Sequence, residues 1–86
     1  MSFRVSVAHE AEKTLDRLDR PTEQRVRARF VQLAVDPFDP RLSAPLADRP
    51  GIRKSRVGGL LFTVDREAKA ICILTVDTRG QVYRHS

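Results

Sequence analysis

The stretch GIRKSRVGGLLFTVD, residues 51–65, changes character halfway along its length. Its first half is cationic, whereas its second half is apolar. Two adjacent glycines, Gly58 and Gly59, separate the halves, and paired glycines favour a two-residue turn between antiparallel strands. The stretch therefore predicts a β-hairpin with one strand over residues 52–57 and the other over residues 60–65.

The cations of the first strand divide between its two faces, because side chains alternate along a strand. Lys54 and Arg56 are expected on one face, about 7 Å apart at roughly 3.3 Å per residue, and Arg53 on the other. This spacing approximates that of successive phosphates in an extended single strand of nucleic acid. A solvated sheet face can carry the same residues, so the spacing alone leaves both interpretations open.

The rest of the chain predicts helices and further strands around this hairpin. Apolar residues alternate in FRVSV and recur at helical spacing in the two segments that follow, which Pro21 separates because proline fits only a helix start. Four prolines within residues 36–50 predict an ordered loop. The predicted elements are a strand over 3–7, helices over 8–19 and 21–36, the hairpin, a central strand over 70–76 and a short strand over 81–85.

This order of elements, β-α-α-β-β-β(-β), predicts an α+β fold. The N-terminal helical hairpin is expected to pack on one face of a small antiparallel sheet. The length of 86 residues predicts a single domain over residues 1–86, and a composition of 41% apolar and 31% charged residues is typical of globular proteins.

Composition also bears on location and on partners. No apolar run approaches the roughly 20 residues of a membrane span, so no membrane association is expected. The only cysteine, Cys72, cannot form an internal disulfide, which fits a cytoplasmic protein. Of the net charge of +5, residues 51–86 contribute +4, with seven Lys/Arg against three Asp/Glu. This excess favours a polyanionic partner, either nucleic acid or an acidic protein.

Several classes of site are excluded by the motifs that the sequence lacks. No paired Cys/His spacing supports a zinc site, and no glycine-rich motif supports a nucleotide cofactor. The aspartates lie at expected turns and helix ends, where structure alone places them. We therefore expect neither a metal nor a small-molecule cofactor.

Four motifs, taken in order, resemble those of the RelE/ParE superfamily of toxin–antitoxin toxins. FRVSVAHEAEKTLDRLD (3–19) is similar to the opening strand and the A-x-K-x-L-x-x-L helix of that family. FVQLAVDPFDP (30–40) resembles its L-x-x-DP helix exit, and PLADRPGIRKSRVGG (45–59) its L-x-G…R-x-R-V-G-D run. ILTVDTRGQVYRH (73–85) resembles the terminal V-L-x-V-x-x-R-x-x-V-Y. The resemblance covers nearly the whole chain and implies the RelE-like fold.

The RelE branch of the superfamily cleaves messenger RNA on the ribosome without a metal, and the ParE branch inhibits DNA gyrase. The basic strand and the terminal Arg–Tyr pattern resemble the RelE branch. That resemblance implies a translation-inhibiting endoribonuclease in which Lys54 assists the ribose 2′-OH, Arg56 holds phosphate, Arg79 stabilises phosphate or protonates the leaving group, and Tyr83 stacks on the nucleotide. Two further arginines are expected to bind substrate: Arg53 and Arg84. The implied partners are a cognate antitoxin, mRNA and the ribosome.

One position departs from the family pattern. Where the resembling toxins carry D-Y-R after R-V-G, this chain has Gly59, Leu60 and Leu61, so that Leu61 replaces a phosphate-binding arginine. Loss of one such contact commonly costs about 10²–10³ in rate. Leu61 therefore leaves open a weak ribonuclease, a branch that uses a rearranged set of residues, or a non-cleaving relative that still binds an antitoxin. The other branch of the superfamily gives a further alternative, a ParE-like gyrase inhibitor.

Overall fold

The structure is a computed structural model in which residues 2–77 are described. Its elements are, in chain order, β1 (Arg4–Val7), α1 (His9–Asp16), α2 (Arg20–Val35), β2 (Ala44–Pro45), β3 (Ile52–Ser55), β4 (Leu60–Asp65) and β5 (Ala70–Thr75). The predicted α+β fold is confirmed. The strand predicted over 81–85 lies outside the described residues. Within residues 2–77, neither helix has the length and apolar character needed to cross a membrane.

The five strands form one mixed sheet in the order β1-β5-β4-β3-β2. β1 runs parallel to β5, with Val5 opposite Ile71, whereas every other neighbouring pair is antiparallel. The sheet predicted from the sequence was wholly antiparallel. Strand direction at β1 depends on pairing across more than sixty residues, which local alternation does not reveal.

The helical hairpin forms as predicted, although α1 ends at Asp16, three residues before its predicted end at residue 19. Asp19 caps α2, because its carboxylate accepts a hydrogen bond from the Thr22 amide at 3.3 Å, and Pro21 occupies the first turn, where no amide is needed. Arg27 of α2 links the two helices, since its guanidinium contacts Glu12 of α1 at 3.1 Å and Glu23 of its own helix at 2.9 Å. These exposed pairs fix the hairpin geometry more than they stabilise it.

The core lies between the hairpin and one face of the sheet. It consists of Ala11, Leu15, Val26, Phe30, Leu33, Leu60, Phe62, Ile71, Ile73 and Val76, all buried. Complete burial of an aliphatic or aromatic side chain contributes roughly 1.5–3 kcal/mol, so this cluster is the main source of stability. Because side chains alternate along a strand, every second residue of β3 and β4 points away from the helices, onto the opposite face of the sheet.

The connection between β3 and β4 is longer than the two-residue turn predicted at the glycine pair. Ser55 pairs with Leu60, so residues 56–59 form the turn, and a short 3₁₀ segment spans Val57–Gly59. Both glycines have positive φ, and an added Cβ at Gly58 would lie 2.9 Å from a Val26 methyl group of α2. The turn is therefore shaped by packing against α2 rather than by the strands alone.

Residues 36–46 form the ordered connection expected from their prolines, with one element that was not predicted. β2 is a two-residue strand, and Pro45 is tolerated there because β2 is the edge of the sheet. Behind it, the Ser43 hydroxyl donates to the Pro37 carbonyl at 2.7 Å. Leu42 packs against the core, which anchors the segment.

Candidate nucleic-acid interface

Lys54 lies in the middle of β3 on the face that the helices do not cover. Its sequence neighbour Ser55 is completely buried on the core side, so Lys54 points the other way, and its side chain is exposed. The residues directly opposite it are Ala44 on β2 and Leu61 on β4. Within residues 2–77 no carboxylate pairs with Lys54, which leaves its charge available to an anionic ligand.

Arg56 does not belong to the strand, as the simple alternation had predicted. β3 ends at Ser55, and Arg56 has helical backbone angles (φ −69°, ψ −38°) at the start of the 3₁₀ turn. The strand spacing of about 7 Å to Lys54 therefore does not apply. The two cations nevertheless line the same cavity, of about 280 Å³, and Arg56 is exposed.

The rest of this cavity is lined by residues 40–44, which include a third cation, Arg41. Arg41 was not among the residues predicted for the site. Its guanidinium contacts the Asp39 carboxylate through two hydrogen bonds, of 3.2 Å from Nε and 2.8 Å from Nη2. The side-chain hydrogen bond from Arg41 is the main cause that lowers the pKa of Asp39, and the same bond raises the pKa of Arg41. The pair is therefore ionised at neutral pH.

Arg53 lies on the opposite face of β3 from Lys54. Its Nε donates to the Ser43 hydroxyl at 3.0 Å, and its guanidinium carbon lies 5.1 Å from the centre of the Phe38 ring. Arg66 also contacts the Phe38 ring, and its guanidinium carbon lies 4.1 Å from the ring centre. Arg53 lines a separate cavity of about 560 Å³, so the structure does not bring it together with Lys54 and Arg56.

The C-terminal candidates Arg79, Tyr83 and Arg84 lie outside the described residues, and their roles stay predictions. The described chain ends at Asp77. The Asp77 amide donates to the Gly58 carbonyl at 2.8 Å, which ties the end of the described chain to the turn that carries Arg56.

Leu61, which the motif resemblance aligns with an arginine of the toxins, is the direct cross-strand partner of Lys54. Facing positions on adjacent antiparallel strands place their Cβ atoms about 4.5–5.5 Å apart. Leu61 is half-buried on the face that carries Lys54, whereas its neighbours Leu60 and Phe62 are completely buried in the core. The position that lacks a positive charge therefore lies next to Lys54, although it does not line the cavity of Lys54 and Arg56.

No group of three metal-ligating side chains occurs among residues 2–77. The free thiol of Cys72 is half-buried on β5. The chemistry that the described residues offer is cationic: three exposed side chains that can donate hydrogen bonds to phosphate oxygens around one cavity.

The fold is similar to that of several solved toxins. A RelBE toxin–antitoxin complex from Mycobacterium tuberculosis matches with a TM-score of 0.75 and 26% identity, over 90% of this chain and 98% of that chain. An archaeal RelE–RelB complex from Pyrococcus horikoshii matches at 0.74 and 23%, over 94% and 99%. The isolated RelE toxin of E. coli matches at 0.75 and 16%, over 98% and 93%.

The search with protein-family models found no match, and neither did the search of curated sequences. The structural matches nevertheless confirm the resemblance drawn from the sequence motifs and support the RelE-like toxin superfamily. They give no support to the ParE alternative.

Proposed function

Because the chain has the fold of the RelE-like toxin superfamily, we propose that it is the toxin of a type II toxin–antitoxin system and a metal-independent endoribonuclease that cleaves mRNA on the ribosome. The observation that carries this proposal is the cavity that Lys54 and Arg56 share on the open face of that fold. Both side chains are exposed, and within residues 2–77 neither is paired with a carboxylate. Cleavage of mRNA would inhibit translation.

The proposed reaction is an internal transesterification of RNA. The 2′-oxygen of a ribose forms a bond to the adjacent phosphorus, and the bond from phosphorus to the 5′-oxygen of the next nucleotide breaks. The proton of the 2′-OH leaves as the new bond forms, and the departing 5′-oxygen takes up a proton. The phosphodiester already carries one negative charge, a second develops on its oxygens as the 2′-oxygen attacks, and fixed cations stabilise this charge.

The roles of the residues follow from position and from the family resemblance. Lys54 assists removal of the 2′-OH proton, and Arg56 holds a phosphate oxygen at the other side of the cavity. By resemblance, Arg79 stabilises the phosphate or protonates the leaving oxygen, and Tyr83 stacks on the nucleotide. The ribosome supplies the remaining alignment of the mRNA, which lowers the barrier by positioning.

An antitoxin is the proposed protein partner, and the proposed location is the cytoplasm. Two of the solved neighbours are complexes of a toxin with its antitoxin. In this chain residues 51–86 have seven Lys/Arg and three Asp/Glu, so an acidic or amphipathic antitoxin segment over Lys54, Arg56 and Arg79 would cover the site by charge complementarity. No cofactor enters the proposed reaction.

Leu61 favours a second candidate, a relative that binds an antitoxin but cleaves RNA weakly or not at all. The family arginine would stand directly beside Lys54, so its loss removes charge from the centre of the site. The missing contact alone is expected to lower the rate by about 10²–10³.

Induced expression followed by mapping of transcript 5′ ends tests the proposal. We expect new 5′ ends within coding regions and arrested growth for the natural chain, and loss of both for Lys54→Ala. The matched control is Lys13→Ala, which removes an exposed lysine from α1, remote from the cavity. New 5′ ends that persist in Lys54→Ala would contradict the assigned site. Intact transcripts with the natural chain would favour the non-cleaving relative.

A further inference from the structure

We propose that Arg41, oriented by Asp39, is a third phosphate-binding residue of this site and supplies positive charge at the cavity that Leu61 does not provide. This inference rests on the proposed function, because it concerns how the same site binds RNA.

Arg41 lines the same open cavity as Lys54 and Arg56. The cavity measures about 280 Å³, just below the roughly 300–1,000 Å³ typical of pockets for small ligands. Three cations and the single Asp39 carboxylate leave a net charge of +2 at this place, which favours a phosphodiester.

The hydrogen bonds of Arg41 leave donors free for a ligand. A guanidinium has five N–H donors, and Asp39 accepts two of them, from Nε and Nη2. The remaining donors belong to a side chain that is 87% exposed, so solvent and ligands can reach them. A guanidinium binds phosphate through paired donors, which a lysine does not offer. The carboxylate thus fixes the orientation of Arg41 while the outer donors stay available.

The backbone around Arg41 is held in place as well. The Asp39 carboxylate also accepts a hydrogen bond from the Arg41 amide at 2.9 Å, and the Asp39 carbonyl accepts from Leu42 and Ser43 at 2.9 and 3.0 Å. Because this segment is already ordered, little conformational entropy is lost when phosphate binds.

Arg53 links this arrangement to the sheet from the other face. Its hydrogen bonds to the Ser43 hydroxyl and carbonyl, at 3.0 and 3.4 Å, join β3 to the segment that carries Arg41. The same segment continues into β2, where Ala44 pairs with Lys54 of β3. Arg53 is therefore a positioning residue for Arg41, and this accounts for an arginine that was expected in the site but lies behind it.

The ion pair of Asp39 and Arg41 adds too little to folding stability to explain why the pair is present. Exposed ion pairs contribute about 0–1 kcal/mol, so Arg41→Ala is expected to leave folding nearly unchanged. A loss of RNA affinity in that variant would then report on the site rather than on the fold.

The test measures binding of the full chain to a short single-stranded RNA whose 2′-oxygens are methylated, so that it cannot be cleaved. Fluorescence anisotropy is recorded over a series of salt concentrations for the natural chain, Arg41→Ala and Arg41→Lys. Arg25→Ala is the control with the same charge change, since Arg25 is exposed on α2. Thermal melting of each variant verifies folding.

We expect Arg41→Ala to weaken binding about tenfold, and to reduce the slope of log K against log salt by about 0.7, the value for one phosphate contact with a single strand. Arg41→Lys should keep the slope and lose part of the affinity, and Arg25→Ala should behave as the natural chain. Asp39→Asn should weaken binding even though it removes a negative charge, because Arg41 then loses its orientation.

Unchanged affinity and slope in Arg41→Ala would overturn the proposal, as would tighter binding by Asp39→Asn. The outcome is separable from that of the proposed function. RNA binding that depends on Arg41 without any cleavage by the natural chain would support this inference and refute the endoribonuclease. RNA cleavage at an unchanged rate in Arg41→Ala would support the endoribonuclease and refute this inference. Absence of RNA binding by the natural chain would refute both.

Discussion

Leu61 lies where the motif of the similar toxins carries an arginine. It faces Lys54 across the β3–β4 pair, on the open side of the sheet, and is half-buried. An arginine there can cover the same apolar surface with its aliphatic stem while its guanidinium reaches solvent. The position is therefore expected to accept the family residue without damage to the core.

We predict that Leu61→Arg increases RNA cleavage by about 10–100-fold, part of the 10²–10³ that such a contact contributes where it is native. The additional cation would lie beside Lys54 and stabilise charge on the reacting phosphate. Cleavage of an mRNA on programmed ribosomes, followed over time, measures the rate. Leu61→Gln, which is polar and similar in length but uncharged, is the control. Equal rates for both variants would mean that charge at position 61 is irrelevant.

Gly59, two positions earlier, departs from the family for a different reason. Its φ is +56°, and an added Cβ would collide with the carbonyl oxygen of Asp77. The family aspartate therefore does not fit this backbone. Of the two departures in one short run, the one at 61 changes the charge of the site, and the one at 59 belongs to the shape of the turn.

At the scale of the element, the turn over residues 56–59 connects the site to the core. It carries Arg56, packs Gly58 against Val26 of α2, and accepts the Asp77 amide through the Gly58 carbonyl. A change in the turn is therefore expected to affect both stability and the position of Arg56.

We predict that Gly59→Ala lowers the free energy of unfolding by about 2–4 kcal/mol, from positive-φ strain and from the contact with Asp77. Gly51→Ala is the matched control, because Gly51 also has positive φ, of +87°, but an added Cβ meets nothing within 4 Å. That variant should lose only about 1 kcal/mol. Urea unfolding measures both, and similar losses in the two variants would show that the Asp77 contact is not limiting.

The elements also show what the sequence can and cannot predict. Helix spacing and Pro21 predict the hairpin because their effects are local. The turn at Gly58–Gly59 was predicted too short, because its shape depends on Val26 and Asp77, which are distant in sequence. β2 was missed because two residues that include Pro45 give no strand pattern.

The sequence also predicted part of the candidate site and missed part of it. Lys54 and Arg56 were predicted as site residues from spacing and resemblance, and the structure places both at one cavity, although strand alternation did not extend to Arg56. The pairing of Asp39 with Arg41 is local and visible in the run DPR. Its relation to Lys54 was not visible, because the pairing of Ala44 with Lys54 across β2 and β3 brings the two together. Long-range pairing of a short edge strand leaves little trace in a single sequence.

At the scale of the whole molecule, positive charge is distributed unevenly along the chain. The net charge is +5, of which residues 51–86 contribute +4, and α2 exposes the apolar side chains Val31 and Val35. An antitoxin that covers the cationic cavity would be attracted at long range by this asymmetry. Such attraction accelerates association more than it slows dissociation.

We predict that association with the antitoxin slows by about tenfold or more between 50 and 500 mM salt, while the dissociation rate changes little, because salt screens charges over about 10 Å at 0.1 M. The antitoxin for this measurement would be a small acidic protein that co-purifies with the chain, and stopped-flow mixing measures both rates. The double variant Lys54→Ala with Arg56→Ala should associate more slowly at low salt and approach the natural chain at high salt. Val31→Ser, which changes an exposed apolar residue and no charge, should keep the full salt dependence of the association rate. Association that is insensitive to salt would mean that the cationic cavity does not attract the antitoxin, and that its binding surface lies elsewhere on the molecule.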